Sequence, residues 1–278
     1  MRRSRITITL TQDILDRVDQ LIDHQKIRNR SHAIEYILSQ HARPKIEKAV
    51  ILAGGEGINL RPYTYEMPKA LLPVQGKPIL EYLILQLKRS GITEVVLCIG
   101  YLGNKIKEYF GDGEQFGVRI VYSEETEKLH TGGALLKAKR LIGNNPFLIV
   151  HSDILTHISF NDLVAFHMEE NTLVTVAVTA VNQPTDFGQL KLMGTKLVHF
   201  YESSTNKEVQ SYLVNCGIYV CDPGIFRYFP HNKKAFHFED VLRELIAEKK
   251  VSGYAFSEQW YDVESPINYE KAIKEFRA

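Results

Sequence analysis

The chain has 278 residues, 44% of them hydrophobic, and 34 Lys and Arg stand against 33 Asp and Glu for a net charge of +1. That length fits one large packed domain plus a small one, and the near-neutral balance excludes a global field for nucleic acid or anionic membrane, so any basic contact patch must be local. No stretch reaches the ~20 apolar residues of a membrane span, and the opening MRRSRITITL turns polar too soon for a signal peptide, so the expectation is a cytoplasmic protein with no membrane partner.

Residues 1–43 form the first predicted domain. Arg5-Ile6-Thr7-Ile8-Thr9-Leu10 alternates strictly, which predicts a strand with Ile6, Ile8 and Leu10 on an apolar face and Arg5, Thr7 and Thr9 on a polar, basic one. A helix starting near Thr11 carries Ile14, Leu15, Val18, Leu21 and Ile22, and a second start at Ser31 leads into Ala33, Ile34, Ile37 and Leu38. So short a segment without a disulfide or metal staple cannot bury a sufficient core alone, which implies a homodimer or higher homo-oligomer that pairs the strand with its copy.

RITITLTQDILDRVDQL and the helices after it resemble the ribbon-helix-helix family of DNA-binding repressors over residues 4–42. The resemblance implies that a two-stranded ribbon enters the major groove of double-stranded DNA, with Arg5, Thr7 and Thr9 as base readers and the backbone at Ser31 gripping a phosphate. Arg2, Arg3, Arg28 and Arg30 add charge nearby. The plainer alternative is a dimerisation ribbon that touches no DNA. The link ARPKIEK is short enough for the two domains to feel each other's orientation.

The second predicted domain is 44–278. Apolar runs AVILA, EVVLCIG, VRIVYS and FLIVHSD alternate with helical patterns, which predicts a layered α/β sheet with parallel strands. TLVTVAVTAV, QLKLM, LVHFYES and YLVNCGIYVC follow with few long helices between them and predict an antiparallel or mixed extension. Cys98, Cys216 and Cys221 fall in these runs without a C-x-x-C pair, as small core residues do. After the first run stands LAGGEGINLRP. Gly54, Gly55 and Gly57 allow main-chain N–H groups to approach phosphate oxygens, although a plain tight turn would use glycines equally well. The P-loop pattern is missing, and Leu60 stands where the dinucleotide fingerprint needs its third glycine.

The run KAVILAGGEGINLRPYTYEMPKALLPVQGKPILEYLI resembles the sugar-1-phosphate nucleotidyltransferases. The likeness continues in order through LHTGGAL, FLIVHSDIL, FGQLKL, NCGIYV and WYDVESP, over about 230 residues. It implies a Rossmann-like, GT-A-like mixed sheet and a reaction in which a sugar phosphate oxygen attacks the α-phosphorus of a nucleoside triphosphate and pyrophosphate leaves. By that resemblance Gly54, Gly55 and Gly57 wrap the triphosphate, Lys69 reaches phosphate oxygens, and Asp153 and Asp262 hold Mg2+. Thr131, Gly132 and Gly133 lie near base and ribose, and Gly188, Glu202 and Asn215 face the sugar.

Two cations of the family pattern are missing. Ile58 and Asn59 occupy the positions where the loop normally ends in an arginine, and Glu202-Ser203-Ser204 replaces glutamate-lysine-proline. Losing an arginine aimed at a transferring phosphoryl costs ~10³ to 10⁵ in rate. Arg61, His130 and His151 are the nearby candidates to supply charge instead. His130 and Ser152 replace small glycines, and Glu264 adds a carboxylate near Asp262. The expectation is therefore a DNA-binding regulator whose larger domain binds a nucleotide, sugar-1-phosphate or nucleotide sugar with catalysis reduced or lost. The alternative is an active sugar-1-phosphate nucleotidyltransferase with an N-terminal assembly or autoregulatory domain; a ligand-free scaffold ranks third.

Overall fold

A computed structural model describes residues 7–23, 27–41, 46–202 and 208–277. The chain divides into two compact units, Met1–Lys45 and Ile46–Ala278.

In the smaller unit, α1 (Gln12–Gln20) follows the extended Thr11, and α2 (Arg30–His41) follows Asn29. Asn29, and not Ser31, starts this second helix: its Oδ1 accepts the His32 N–H at 2.9 Å, satisfying one donor of the first turn. The Arg30 guanidinium forks onto Asp19 through two contacts of 2.6 Å, so it ties the helices together instead of standing as loose charge. Val18 and Ala33 are buried, whereas Ile8, Ile14, Leu21 and Leu38 are between 39% and 50% exposed. Thr7–Leu10, the described part of the expected strand, form no strand among the described residues: an extended run takes a ladder only where a hydrogen-bonding neighbour lies beside it, and none does here. Arg5, with Arg2 and Arg3, lies outside the described residues.

The larger unit is built on β1 (Lys48–Ala53), β2 (Pro73–Val74), β3 (Lys77–Pro78), α3 (Ile79–Arg89), β4 (Glu94–Ile99), α4 (Gly103–Phe110), β5 (Arg119–Glu124), α5 (His130–Ile142), β6 (Phe147–His151), β7 (Ile154–Thr156) and α6 (Phe160–Glu170). It continues through β8 (Val174–Ala180), β9 (Gln189–Met193), β10 (Lys196–Tyr201), β11 (Leu213–Cys221), α7 (Phe238–Ala247), β12 (Val251–Ala255), β13 (Trp260–Asp262) and α8 (Pro266–Glu275). Nine strands form one sheet in the order β5-β4-β1-β6-β11-β8-β12-β10-β9. The first four are parallel, and β11 then runs antiparallel to both β6 and β8. The expected change from parallel to mixed pairing therefore falls between β6 and β11.

Side-chain alternation divides the core into layers. Ala49 and Ile51 of β1 pack toward α3, α4 and α6, while Val50 faces α5 and α7. A third cluster under α8 holds Leu60, Leu155, Val263 and Phe276. Cys98, Cys216 and Cys221 are free and buried, as expected of core residues. No helix among the described residues is long and apolar enough to cross a membrane.

Candidate active site

The strand order creates the site. From β1 the chain steps outward to β4 and β5, then returns to place β6 on the other side of β1. At such a switch point the loops leaving neighbouring strands diverge and open a crevice beyond their carboxyl ends. Leu52 of β1 lies in register with His151 of β6, and the Ser152 N–H donates to the Leu52 carbonyl at 3.1 Å. Gly54-Gly55 and Ser152-Asp153 thereby emerge side by side, though about 100 residues separate them in sequence.

The crevice opens into a cavity of about 630 Å³ lined by Gly54, Gly55, Lys69, Thr131, Asp153 and neighbours. A Cβ on Gly55 would meet nothing within 4 Å. Gly57 does not line the cavity. It turns the loop at φ +62°, where a Cβ would press within 2.9 Å of Thr64 Cγ2, and its carbonyl accepts the Thr64 hydroxyl at 2.7 Å.

Lys69 and Asp153 form an ion pair at the cavity floor, with side chains only 16% and 10% exposed. β13 pairs with β7 so that Asp262 lies opposite Ile154, and the Val263 N–H donates to the Asp153 carbonyl at 3.0 Å. This short ladder brings Asp262 beside Asp153. Burial opposes ionisation of Asp153, yet the Lys69 ammonium and then His151 hold its carboxyl below the ordinary range. For Asp262, burial and the neighbouring Asp153 charge push the carboxyl well above that range, and Lys69 offsets only part of the shift. Burial alone would lower the Lys69 pKa; Asp153, followed by Asp262 and Glu264, raises it instead.

Oδ1 of Asp262 is buried and has no hydrogen-bond partner among the described residues. Two adjacent carboxylates, one raised and carrying an orphaned oxygen, have the donor chemistry of a hard divalent cation site. Among the described residues no group of three or more His, Cys, Asp or Glu could enclose a metal. An ion here would take the two carboxylates and complete its shell with substrate phosphates, as Mg2+ commonly does.

A second cavity of about 350 Å³ adjoins the first, and His151, His237 and Glu264 line both. Gly188, Glu202 and Asn215 all face it, as does Asp262. The Phe200 ring fills the space where a Gly188 side chain would stand, 2.8 Å from its ideal Cβ. Asn215 is fixed three ways: its N–H donates to the Gly188 carbonyl at 2.9 Å, its Oδ1 accepts the Gly217 N–H at 3.1 Å, and its amide donates to the Tyr219 hydroxyl at 2.7 Å.

Other expected residues fall elsewhere. Gly132 and Gly133 do not line either cavity: they belong to the first turn of α5, and both N–H groups donate to the Phe236 carbonyl. A Cβ on Gly132 would meet the Phe236 ring at 2.4 Å, so close packing explains that glycine. Thr131 does reach the first cavity, but it also joins α5 to α7, accepting the Phe238 N–H at 2.8 Å and donating to Glu239 at 3.1 Å. Arg61 pairs with Glu56 at 3.4 Å and lies over the Tyr65 ring; it is not among the residues lining the first cavity. Ile58 is 54% exposed, and Asn59 is exposed too. Ser203 and Ser204 lie outside the described residues.

His130, at the glycine position of the family pattern, adopts φ +57° and lies tilted against His237 with ring centroids 4.2 Å apart. Burial, with His237 and Lys128 nearby, lowers its pKa, which works against its candidacy as a substitute cation. Arg243 was not singled out by the sequence. It lines the second cavity from α7, bonds Asp240 at 2.7 Å and contacts Glu202.

Residues 48–278 match the family described as nucleotidyl transferase. A D-glycero-alpha-D-manno-heptose 1-phosphate guanylyltransferase from Aneurinibacillus thermoaerophilus is 30% identical, over 83% of this chain and 98% of its own length. A probable mannose-1-phosphate guanylyltransferase from Oryza sativa is also 30% identical, over 80% of this chain, which spans only 62% of that longer protein. Among solved structures, a UDP-glucose pyrophosphorylase from Acinetobacter baumanii superposes with a TM-score of 0.71 at 20% identity, covering 82% of this chain and 92% of the other.

Proposed function

The chain belongs to the nucleotidyl transferase family, and from that premise we propose that its larger unit joins a nucleoside triphosphate to a sugar-1-phosphate, releasing pyrophosphate. One observation carries this reading: two cavities adjoin along His151, His237 and Glu264, with the buried Lys69–Asp153 pair lining the first and the neighbouring Asp262 lining the second. A transfer between two phosphorylated substrates requires two pockets and a shared point where opposite charge is concentrated.

In this reading the Gly54-Gly55 backbone cradles the triphosphate and Lys69 neutralises phosphate oxygens, leaving its contact with Asp153 to do so. Glu202 and Asn215 orient the sugar. Asp153 and Asp262 would hold Mg2+, which when bound neutralises phosphate charge. The attacking oxygen is already an ionised phosphate oxygen, so the reaction needs no general base. Orientation and neutralisation carry the catalysis.

The named relatives support turnover over ligand sensing, reversing the preference drawn from the two missing cations. GTP is the first triphosphate to test, because two of these relatives are guanylyltransferases by name. Full-length protein is assayed for pyrophosphate release with GTP, dTTP, UTP, CTP and ATP, each against glucose-, mannose- and heptose-1-phosphates. Release that requires both substrates supports the reading; binding of both without release returns the ligand-sensing alternative.

A second reading concerns the smaller unit. We propose that it dimerises through its uncovered apolar positions and presents Thr7 and Thr9 to DNA, with Ser31 near the backbone. Exposure of Thr7, Thr9 and Ser31, together with Ile8, Ile14 and Leu38, supports it. Sedimentation of the full chain tests dimerisation, and selection from a random duplex library tests the DNA contact. A monomer that enriches no sequence removes this reading and leaves the transferase untouched.

A further inference from the structure

The second cavity poses a charge problem. Among the described residues six carboxylates line it: Asp186, Glu202, Glu239, Asp240, Asp262 and Glu264. A phosphomonoester carries up to two negative charges, and nothing in the Glu202-Ser203-Ser204 stretch offers it a cation. Arg243 is the one Lys or Arg among the described lining residues.

Its setting is built. The guanidinium lies over the Phe200 ring, 5.7 Å from the centroid, and that ring is the one covering Gly188. One terminal nitrogen bonds Asp240 at 2.7 Å, and the other contacts Glu202. A guanidinium has five N–H donors, so two such bonds leave three for a further oxygen-rich partner. Both carboxylates are themselves well exposed, at 56% and 69%. Ion pairs of that exposure contribute little, so they steer the guanidinium without sequestering it. A planar fork held in this way suits a phosphate, whose oxygens it can engage in pairs.

We infer that Arg243 holds the phosphate of the sugar-1-phosphate, taking from helix α7 the role of the lysine missing after Glu202. The same side chain positions Glu202, so recognition of the sugar's phosphate and of its hydroxyls runs through one residue. This inference rests on the transferase reading above.

The test compares natural protein with R243Q, R243K and K207A, a control for the lysine of the 203–207 sequence. Kinetics use the sugar-1-phosphate selected by the pyrophosphate screen, and calorimetry measures triphosphate binding. Loss of charge-assisted hydrogen bonds predicts a KM for sugar-1-phosphate raised roughly 10- to 100-fold in R243Q. Triphosphate affinity and melting temperature stay unchanged, which a merely structural role of Arg243 would not allow. R243K, a point charge without the fork, recovers part of the loss. An unchanged KM in R243Q, an equal loss of triphosphate affinity, or a loss confined to K207A overturns the assignment. If natural protein neither releases pyrophosphate nor binds any sugar-1-phosphate, the transferase reading itself fails, and this inference falls with it.

Discussion

The two cavities are made of different materials. The first is largely a product of backbone: β1 and β6 lie in register, their loops part at the switch point, and Gly54 and Gly55 line the opening. The second is assembled from side chains on separate elements, with Glu202 after β10, Asn215 on β11, Arg243 on α7 and Asp262 on β13. Backbone sites depend on dihedrals and close approach, whereas side-chain sites depend on which distant elements meet. Each is therefore open to a different kind of disruption.

The largest effect is expected at the adjacent carboxylates, Asp153 lining the first cavity and Asp262 the second. Asp153→Asn and Asp262→Asn should each lower turnover by roughly 10²- to 10³-fold, the scale seen when one electrostatic group of an active site is removed. They should differ in stability. Asp262 has its pKa raised by burial and by Asp153, so its ionised form opposes folding. For a carboxyl with a raised folded pKa, stability is lost as pH climbs from the unfolded value through the folded one. Thermal melts at pH 7 should thus show D262N above natural protein, while D153N, which breaks the Lys69 pair, falls below it. Melts in the reverse order would mean that Asp262 is not the strained partner.

Charge restoration separates the cavities next. Asn59→Arg should raise turnover roughly 10- to 100-fold, since the first cavity lacks its loop cation. Ser203→Lys should change it by less than about twofold, because Arg243 already serves the second cavity. Steady-state kinetics decide this, and an equal gain from both variants would erase the distinction. Gly57→Ala imposes a side chain at φ +62° against Thr64, a strain of about 1–2 kcal/mol. It should weaken triphosphate binding up to about tenfold in calorimetry and leave the KM for sugar phosphate unchanged. The smallest effect belongs to His130→Gly, which relieves a positive φ and should stabilise the fold by about 1 kcal/mol in denaturant titration.

The difference in materials also governs what the sequence reveals. Continuous apolar runs separated by helical patterns expose the α/β layering, because strands covered by helices on both faces bury nearly every residue, and the break toward antiparallel pairing shows in strands that follow without helices. The glycine loop is visible because glycine identity records a backbone need. Gly132 and Gly133 show how that signal misleads: their closeness is to Phe236 and to the Lys234 carbonyl, not to the cavity. Arg243 left no local mark, since its neighbours in sequence are an ordinary amphipathic helix, and only the packing of α7 against β10 brings it to Glu202. In the smaller unit, helix periodicity located both helices. The expected strand is not formed over Thr7–Leu10, its described part, and Arg5 lies outside the described residues.

Transfer of a nucleotidyl group, as against binding alone, is tested by one stoichiometry. Purified full-length protein, given Mg2+, GTP and heptose- or mannose-1-phosphate, should release pyrophosphate in equal amount to nucleotide sugar, with release abolished when either substrate is left out. Saturable binding of both substrates without any pyrophosphate, across all five triphosphates, would contradict it.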